Sequence, residues 1–349
     1  MSATPPADAP PSAPRAAPGP VPPDTTVLRA TGLEVVHRTR SGPLHAVSGV
    51  DLALEERRTL ALVGESGSGK SSIARALLRL PPPTSGTVTL DGTDLAALPA
   101  RRLRALRPRM QMVFQDPLSS LNPRRTVRGL VAEPLDAHPG QNRGRDRATV
   151  VDEQLNAVGL DPELFGDRRP DQLSGGQAQR VAIARALAAG PRVLIADEAV
   201  SALDVSAQAT VLNLLRGLTE ERGLAGLFIT HDLGVVRAVS DDIAVLQLGR
   251  ICERGPTQAV LAAPAHPYTA ALLAAVPEPG RPLGDTGLLP ADPPSPLDPP
   301  SGCRFRTRCP LAHERCAAEA PAMRPVGPGR TVACHRPLLP VLPEAATGL

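Results

Sequence analysis

Eight consecutive residues, Gly64-Glu65-Ser66-Gly67-Ser68-Gly69-Lys70-Ser71, constrain this chain more than any other feature, because they fit G-x-x-x-x-G-K-[ST]. The fit follows an apolar run, Leu60–Val63, and opens a helical pattern, Ser71–Leu80, that three prolines at Pro81–Pro83 close. Strand, glycine loop and helix in this order form a phosphate cradle: glycines let backbone N–H groups curl round the oxygens, and the helix N-terminus adds its positive end. Lys70 is expected to reach the β- and γ-phosphates of ATP, Ser71 to ligate Mg²⁺, and Ser72 to complete the loop. A chance glycine-rich turn would not come with that context. Of the 38 basic residues 37 are arginine, so the single lysine marks a position that needs a compact ammonium and not a planar fork.

The chain around the loop divides by texture. Strand patterns at Val27–Val36, Ala46–Leu54 and Thr59–Val63 precede it. Residues 116–180 are polar and rich in Pro and Arg, with a helical pattern at Thr149–Val158. From Gln177 helix and strand signals alternate: helix to Ala189, strand Arg192–Ala196, helix Ser206–Arg222, strand Ala225–Ile229, helix from Asp232, strand Ile243–Leu248. Such alternation implies a mainly parallel sheet with helices on its faces. The expected class is α/β: a P-loop NTPase with a RecA-like core and an antiparallel β subdomain. The expected divisions are a disordered Pro-rich tail (1–26), the first part of the core (27–115), an inserted helical subdomain (116–180), the second part of the core (181–256) and a small Cys-containing C-terminal appendix (257–349).

Composition narrows the function classes. An apolar share of 42% supplies an ordinary core, while no stretch reaches the roughly 18 uninterrupted apolar residues of a membrane span. The first 26 residues lack the charged start and apolar centre of a signal peptide, which points to the cytoplasm. A net charge of +3 and an aromatic share of 1% give no reason to expect nucleic acid as a partner. The arginines at 101, 102, 104, 107 and 109 read as a solvated helix face.

Further segments carry a family resemblance. Leu173-Ser174-Gly175-Gly176-Gln177, at the head of a helix, resembles the signature of ABC-transporter nucleotide-binding domains, and as bare chemistry is a second anion site. Val193-Leu194-Ile195-Ala196-Asp197-Glu198 is an apolar strand ending in two carboxylates, whose alternation would aim them at the metal and the γ-phosphate from different sides. Gln115, Ser201-Ala202-Leu203-Asp204 and His231 match the glutamine loop, the loop that crosses the dimer interface and the switch histidine. By this resemblance Asp197 holds Mg²⁺ through water, Gln115 senses the metal, Glu198 is the general base, and two copies sandwich two ATP molecules head to tail. Two departures stand out. His37 occupies the position where the family stacks an aromatic ring on adenine, and Ala199 replaces the usual proline after the two acids.

Three segments are similar to the dipeptide, oligopeptide and nickel importers: Gln115–Arg124, His266-Pro267-Tyr268-Thr269 and the tail from Pro296. The resemblance implies an ATP-hydrolysing subunit, a homodimer or a heterodimer with a sister subunit. It sits at the cytoplasmic face of the membrane on two permeases, served indirectly by an extracytoplasmic solute-binding protein. Peptides are the favoured cargo. Nickel or another solute is the alternative, and a non-transport role on ribosomes or DNA would call for a second cassette or an inserted coiled coil. In the tail Cys303, Cys309, Cys316 and Cys334 are separated by five, six and seventeen residues, which fits the paired knuckles of structural zinc poorly. By resemblance these cysteines hold a [4Fe–4S] cluster, with Zn²⁺ or unliganded thiols as the alternatives, whereas Cys252 reads as inert core.

Overall fold

The computed structural model describes residues 25–140, 144–276 and 294–341. The expected Pro-rich tail therefore lies, but for its last two residues, outside the described residues. Twelve strands are present among them: β1 (Thr26–Thr39), β2 (Gly42–Glu55), β3 (Thr59–Val63), β4 (Ser85–Leu90), β5 (Thr93–Asp94), β6 (Met110–Val113), β7 (Val193–Asp197), β8 (Ala225–Thr230), β9 (Asp242–Gln247), β10 (Arg250–Pro256), β11 (Arg324–Gly327) and β12 (Arg330–Val332). One sheet is antiparallel, in the order β2-β1-β4-β5, and the other runs β11-β12-β10-β9-β3-β8-β7-β6.

The centre of the larger sheet is parallel, since β3 pairs with β8 and β9, and β7 with β6 and β8. Every residue of β7 and β8 is buried, as continuous apolar runs covered on both faces should be. Register then does the positioning. Val63 lies beside Thr230, Asp197 beside Ile229 and Val113 beside Ala196. The residues that follow these strands, Gly64, His231, Glu198 and Gln115, consequently leave the sheet at one edge, where ligands of parallel α/β sheets gather.

The helix after the glycine loop spans Lys70–Leu77, shorter than the pattern Ser71–Leu80. Its apolar periodicity runs on, but the backbone turns left-handed at Arg79, with φ of 52°, and Leu80 precedes a proline, which disfavours helix. Five short helices fill the insertion, four of them capped by Asp116, Thr126, Asp146 and Asp161, whose side chains accept backbone N–H bonds. They pack on the helix Gly175–Ala188. Its Val181 and Leu187 share one apolar cluster with Leu130 and Leu155 of the insertion and Leu194 and Phe228 of the core sheet. The helix thus runs unbroken across residue 180, where the texture of the sequence changes.

The stretch after Pro256 does not stand apart. β12 pairs with β10, Glu253 opposite Val332, so the C-terminal hairpin extends the core sheet. Burial explains this: the fully buried Glu253 carboxylate accepts from Arg330 at 3.0 Å and from the backbone of Ala265 and His266. A buried ion pair with this many hydrogen bonds holds its elements in one arrangement, because removing either partner leaves an uncompensated charge.

Candidate active site

The glycine loop needs its glycines for space. A Cβ on Gly69, which has φ of 107° and precedes the helix Lys70–Leu77, would lie 2.2 Å from the Ala46 carbonyl oxygen. Lys70 is 5% exposed and its Nζ donates to the carbonyls of Gly64 at 2.8 Å and Glu65 at 2.9 Å, holding the loop closed across its base. Burial lowers the pKa of this ammonium, and the carboxylates of Glu198, Asp197 and Glu65 oppose the shift. Ser68 Oγ is buried without a hydrogen-bond partner among the described residues. A glycine cradle, an ammonium and helix N–H groups together fit a polyphosphate.

Beside the loop the acids take different backbone states. Asp197 closes β7, is 6% exposed and accepts from Ser71 Oγ at 3.1 Å. Burial pushes its carboxyl above the usual range, the Ser71 bond opposing. Ser71 and Asp197, joined by this bond, are two of the three residues that would hold Mg²⁺, Gln115 being the third. Glu198 has already left the strand, in the left-handed region at φ of 48°. The expectation that strand alternation separates the two acids is therefore replaced by a backbone reversal, an uncommon state for a residue with a Cβ and one that clusters at functional sites. Glu198 lies between its expected neighbours: Gln115 Nε2 donates to Oε2 at 2.9 Å and His231 Nδ1 to Oε1 at 3.4 Å.

A cavity of about 420 Å³ opens over these groups, lined by Ser66, Gly67, Gly69, Lys70, Ser71, Ser72, Gln115, Glu198, His37, Leu44, His45, Ala46 and Leu248. His37 Nε2 shares a 3.2 Å hydrogen bond with Ser72 Oγ, which ties the β1 ring to the first turn of the helix. Sequence reading missed Leu44 and His45. Their signal was the hairpin, in which Leu44 pairs with His37 and His45 with Val36. It also missed Pro296, a C-terminal residue in the cavity wall.

The remaining residues gather elsewhere. Ser174 caps the helix Gly175–Ala188 and Gln177 returns the bond, a reciprocal capping box. A Cβ on Gly176 would meet Ala207 at 3.1 Å. Asp204 caps the neighbouring helix Val205–Arg222 by accepting from Ala207 N and Ser206 Oγ, and these bonds hold its carboxyl below the usual range. None of Ser174, Gly175, Gly176, Gln177 and Asp204 lines the loop cavity. The four tail cysteines line one small cavity, with Cys316 and Cys334 buried. Burial pushes the thiols of Cys303, Cys309 and Cys334 up, the last to about 11. Among the described residues no group of three or more His, Cys, Asp or Glu is arranged to hold a metal ion, so the geometry does not support the iron–sulfur or zinc expectation. Cys252 is buried in β10 and donates to the Val245 carbonyl.

Residues 47–201 match the ABC transporter family, and residues 252–316 match the oligopeptide/dipeptide transporter C-terminal region. The chain is 51% identical to the probable peptide ABC transporter ATP-binding protein y4tS of Sinorhizobium fredii, across 85% of this chain and 84% of that protein. To the putative oligopeptide transport ATP-binding protein YkfD of Bacillus subtilis it is 50% identical, across 83% and 89%. Among solved structures, the dimeric post-hydrolysis state of the cassette MJ0796 bound to ADP and Pi superposes with a TM-score of 0.60 at 31% identity, covering 66% of this chain and 98% of that one. With phosphate loop, carboxylates, glutamine and histidine at one sheet edge, and relatives matched over most of their length, the chain belongs to the ATP-binding proteins of ABC transporters.

Proposed function

We propose that this chain hydrolyses MgATP to power an ABC importer of dipeptides or oligopeptides. One observation carries the hydrolytic part: Glu198, fixed between Gln115 and His231, faces the cavity that holds Lys70 and Ser71. A carboxylate there can take a proton from a water attacking the γ-phosphate, while Lys70 and the loop N–H groups stabilise the transferring charge. When bound, Mg²⁺ would neutralise phosphate charge, with Ser71, Gln115 and Asp197 as its holders. The peptide cargo rests on the C-terminal region and on the names of the relatives.

The same reading gives the partners. The signature turn and Asp204 lie outside the loop cavity, so a second copy or a sister subunit must bring its own Ser174–Gln177 turn to this chain's nucleotide. No helix among the described residues is long and apolar enough to cross a membrane, in keeping with a peripheral subunit on two permeases at the cytoplasmic face. Glu198→Gln tests the core of the reading. It should bind MgATP, lose at least about 100-fold in turnover as a missing general base does, and accumulate as an ATP-bound dimer in sedimentation. Turnover at the wild-type rate would remove Glu198 from the role of base.

Four thiols around one cavity also make a [4Fe–4S] cluster or Zn²⁺ testable, although the side chains would have to close in. Anaerobic purification with metal analysis decides: about four irons per chain assigns the cluster, one zinc assigns zinc, and neither leaves free thiols.

A further inference from the structure

Glu65, the second residue of the glycine loop, is held on three sides. Lys70 Nζ donates to its carbonyl at 2.9 Å. Its backbone N–H donates to the Tyr268 hydroxyl at 3.0 Å, and its carboxylate accepts both arms of the Arg308 guanidinium at 2.8 Å each. The last two partners belong to the C-terminal extension, 203 and 243 residues away in sequence.

Neither contact is a loose surface pair. The Arg308 side chain is 4% exposed and that of Glu65 23%, so the bidentate bond forms with little competition from water. Tyr268 is fully buried, and its ring packs on Phe305 with centroids 5.3 Å apart. Arg308 lies over the same Phe305 ring, and its N–H donates to the Phe305 carbonyl. The loop carrying Phe305 and Arg308 is anchored in turn where Cys303 N donates to the Cys316 carbonyl at 2.8 Å. The extension thus presents a hydroxyl and a guanidinium from one packed unit to one residue of the phosphate cradle.

We propose that Arg308 and Tyr268 are positioning residues for the phosphate loop: through Glu65, the C-terminal extension sets where the Lys70 ammonium meets the triphosphate of a bound nucleotide. The inference rests on the reading of the loop as an MgATP site. The carbonyl that orients Lys70 and the N–H that Tyr268 orients flank one Cα, and Arg308 fixes the side chain between them. Freeing Glu65 lets the carbonyl turn, and the ammonium turns with it.

The full chain tests this through Tyr268→Phe, which deletes one hydroxyl, and Arg308→Gln, which deletes the charge and keeps a polar end. Displacement of a fluorescent nucleotide by MgATP gives affinity, and steady-state hydrolysis gives KM and kcat. Both variants should bind MgATP about twofold to 150-fold more weakly, the span of coupling between contacting groups, with KM rising by more than kcat falls. The exchange Glu65→Arg with Arg308→Glu should recover affinity relative to either single change. Wild-type affinity in a Tyr268→Phe and an Arg308→Gln protein with native circular dichroism would overturn the proposal. A fall confined to kcat would also overturn it, because displaced phosphate binding must appear in KM. Should the unmodified chain fail to bind MgATP, the reading of the site falls, and the proposal with it.

Discussion

Glu198 shows how much chemistry one backbone angle can set. Had it continued β7 it would have pointed away from Asp197 across the sheet, whereas at φ of 48° its carboxylate reaches Gln115 and His231 together. The residue types were legible in the sequence, because two acids after an apolar strand invite a catalytic reading. The angle was not, since no local pattern encodes a left-handed state for glutamate. His37 is the reverse case: its position was legible only through family likeness, and the structure adds its bond to Ser72 and its partners Leu44 and His45 in the cavity wall. His37→Ala should weaken ATP binding about three- to tenfold, less than a full stacked aromatic would cost, while leaving the loss on removing Mg²⁺ unchanged. Isothermal titration checks both, and unaltered affinity would make His37 a structural strand end.

At the scale of elements, the strands and helices read from apolar periodicity are present with shifted ends, whereas β4, β5, β6, β10, β11 and β12 were not among those read. The glycine loop and the parallel strands β3, β7, β8 and β9 were readable because each has a local signature; the contacts of the extension were not, because pairing over such separations leaves no periodic trace. The helix Pro267–Ala274 makes the point energetically. His266 caps it by accepting the Tyr268 N–H at Nδ1, at 2% exposure, and its own N–H donates to Glu253. Burial lowers its pKa to about 4, against a weaker opposing bond from the Ala333 backbone. The unfolded chain takes up the proton near pH 6.5 while the native state refuses it until about 4, so stability is complete above 6.5 and drains as pH falls across that window. The loss is on the order of 3 kcal/mol. His266→Asn keeps a capping acceptor and should flatten this part of the pH profile in urea titrations. An unchanged profile would assign the acid sensitivity to another group.

For the whole molecule, two features tie cassette and appendages into one body. The helix Gly175–Ala188 carries the insertion and the core in one apolar cluster, and the C-terminal hairpin adds strands to the core sheet. Texture in the sequence suggested seams at both places, because polarity and proline content change there, but side-chain burial crosses them. The near-exclusive use of arginine for positive charge has a practical corollary at this scale. Apart from the terminal amino group, the only primary amine of the protein is the Lys70 Nζ, held at 5% exposure by two carbonyls at the base of the loop. An amine-directed acylating reagent therefore has a single internal target, and the mass it adds reports nucleotide occupancy directly: saturating MgATP should suppress that adduct in intact-protein mass spectra, giving a footprint of the site without any substitution in the chain.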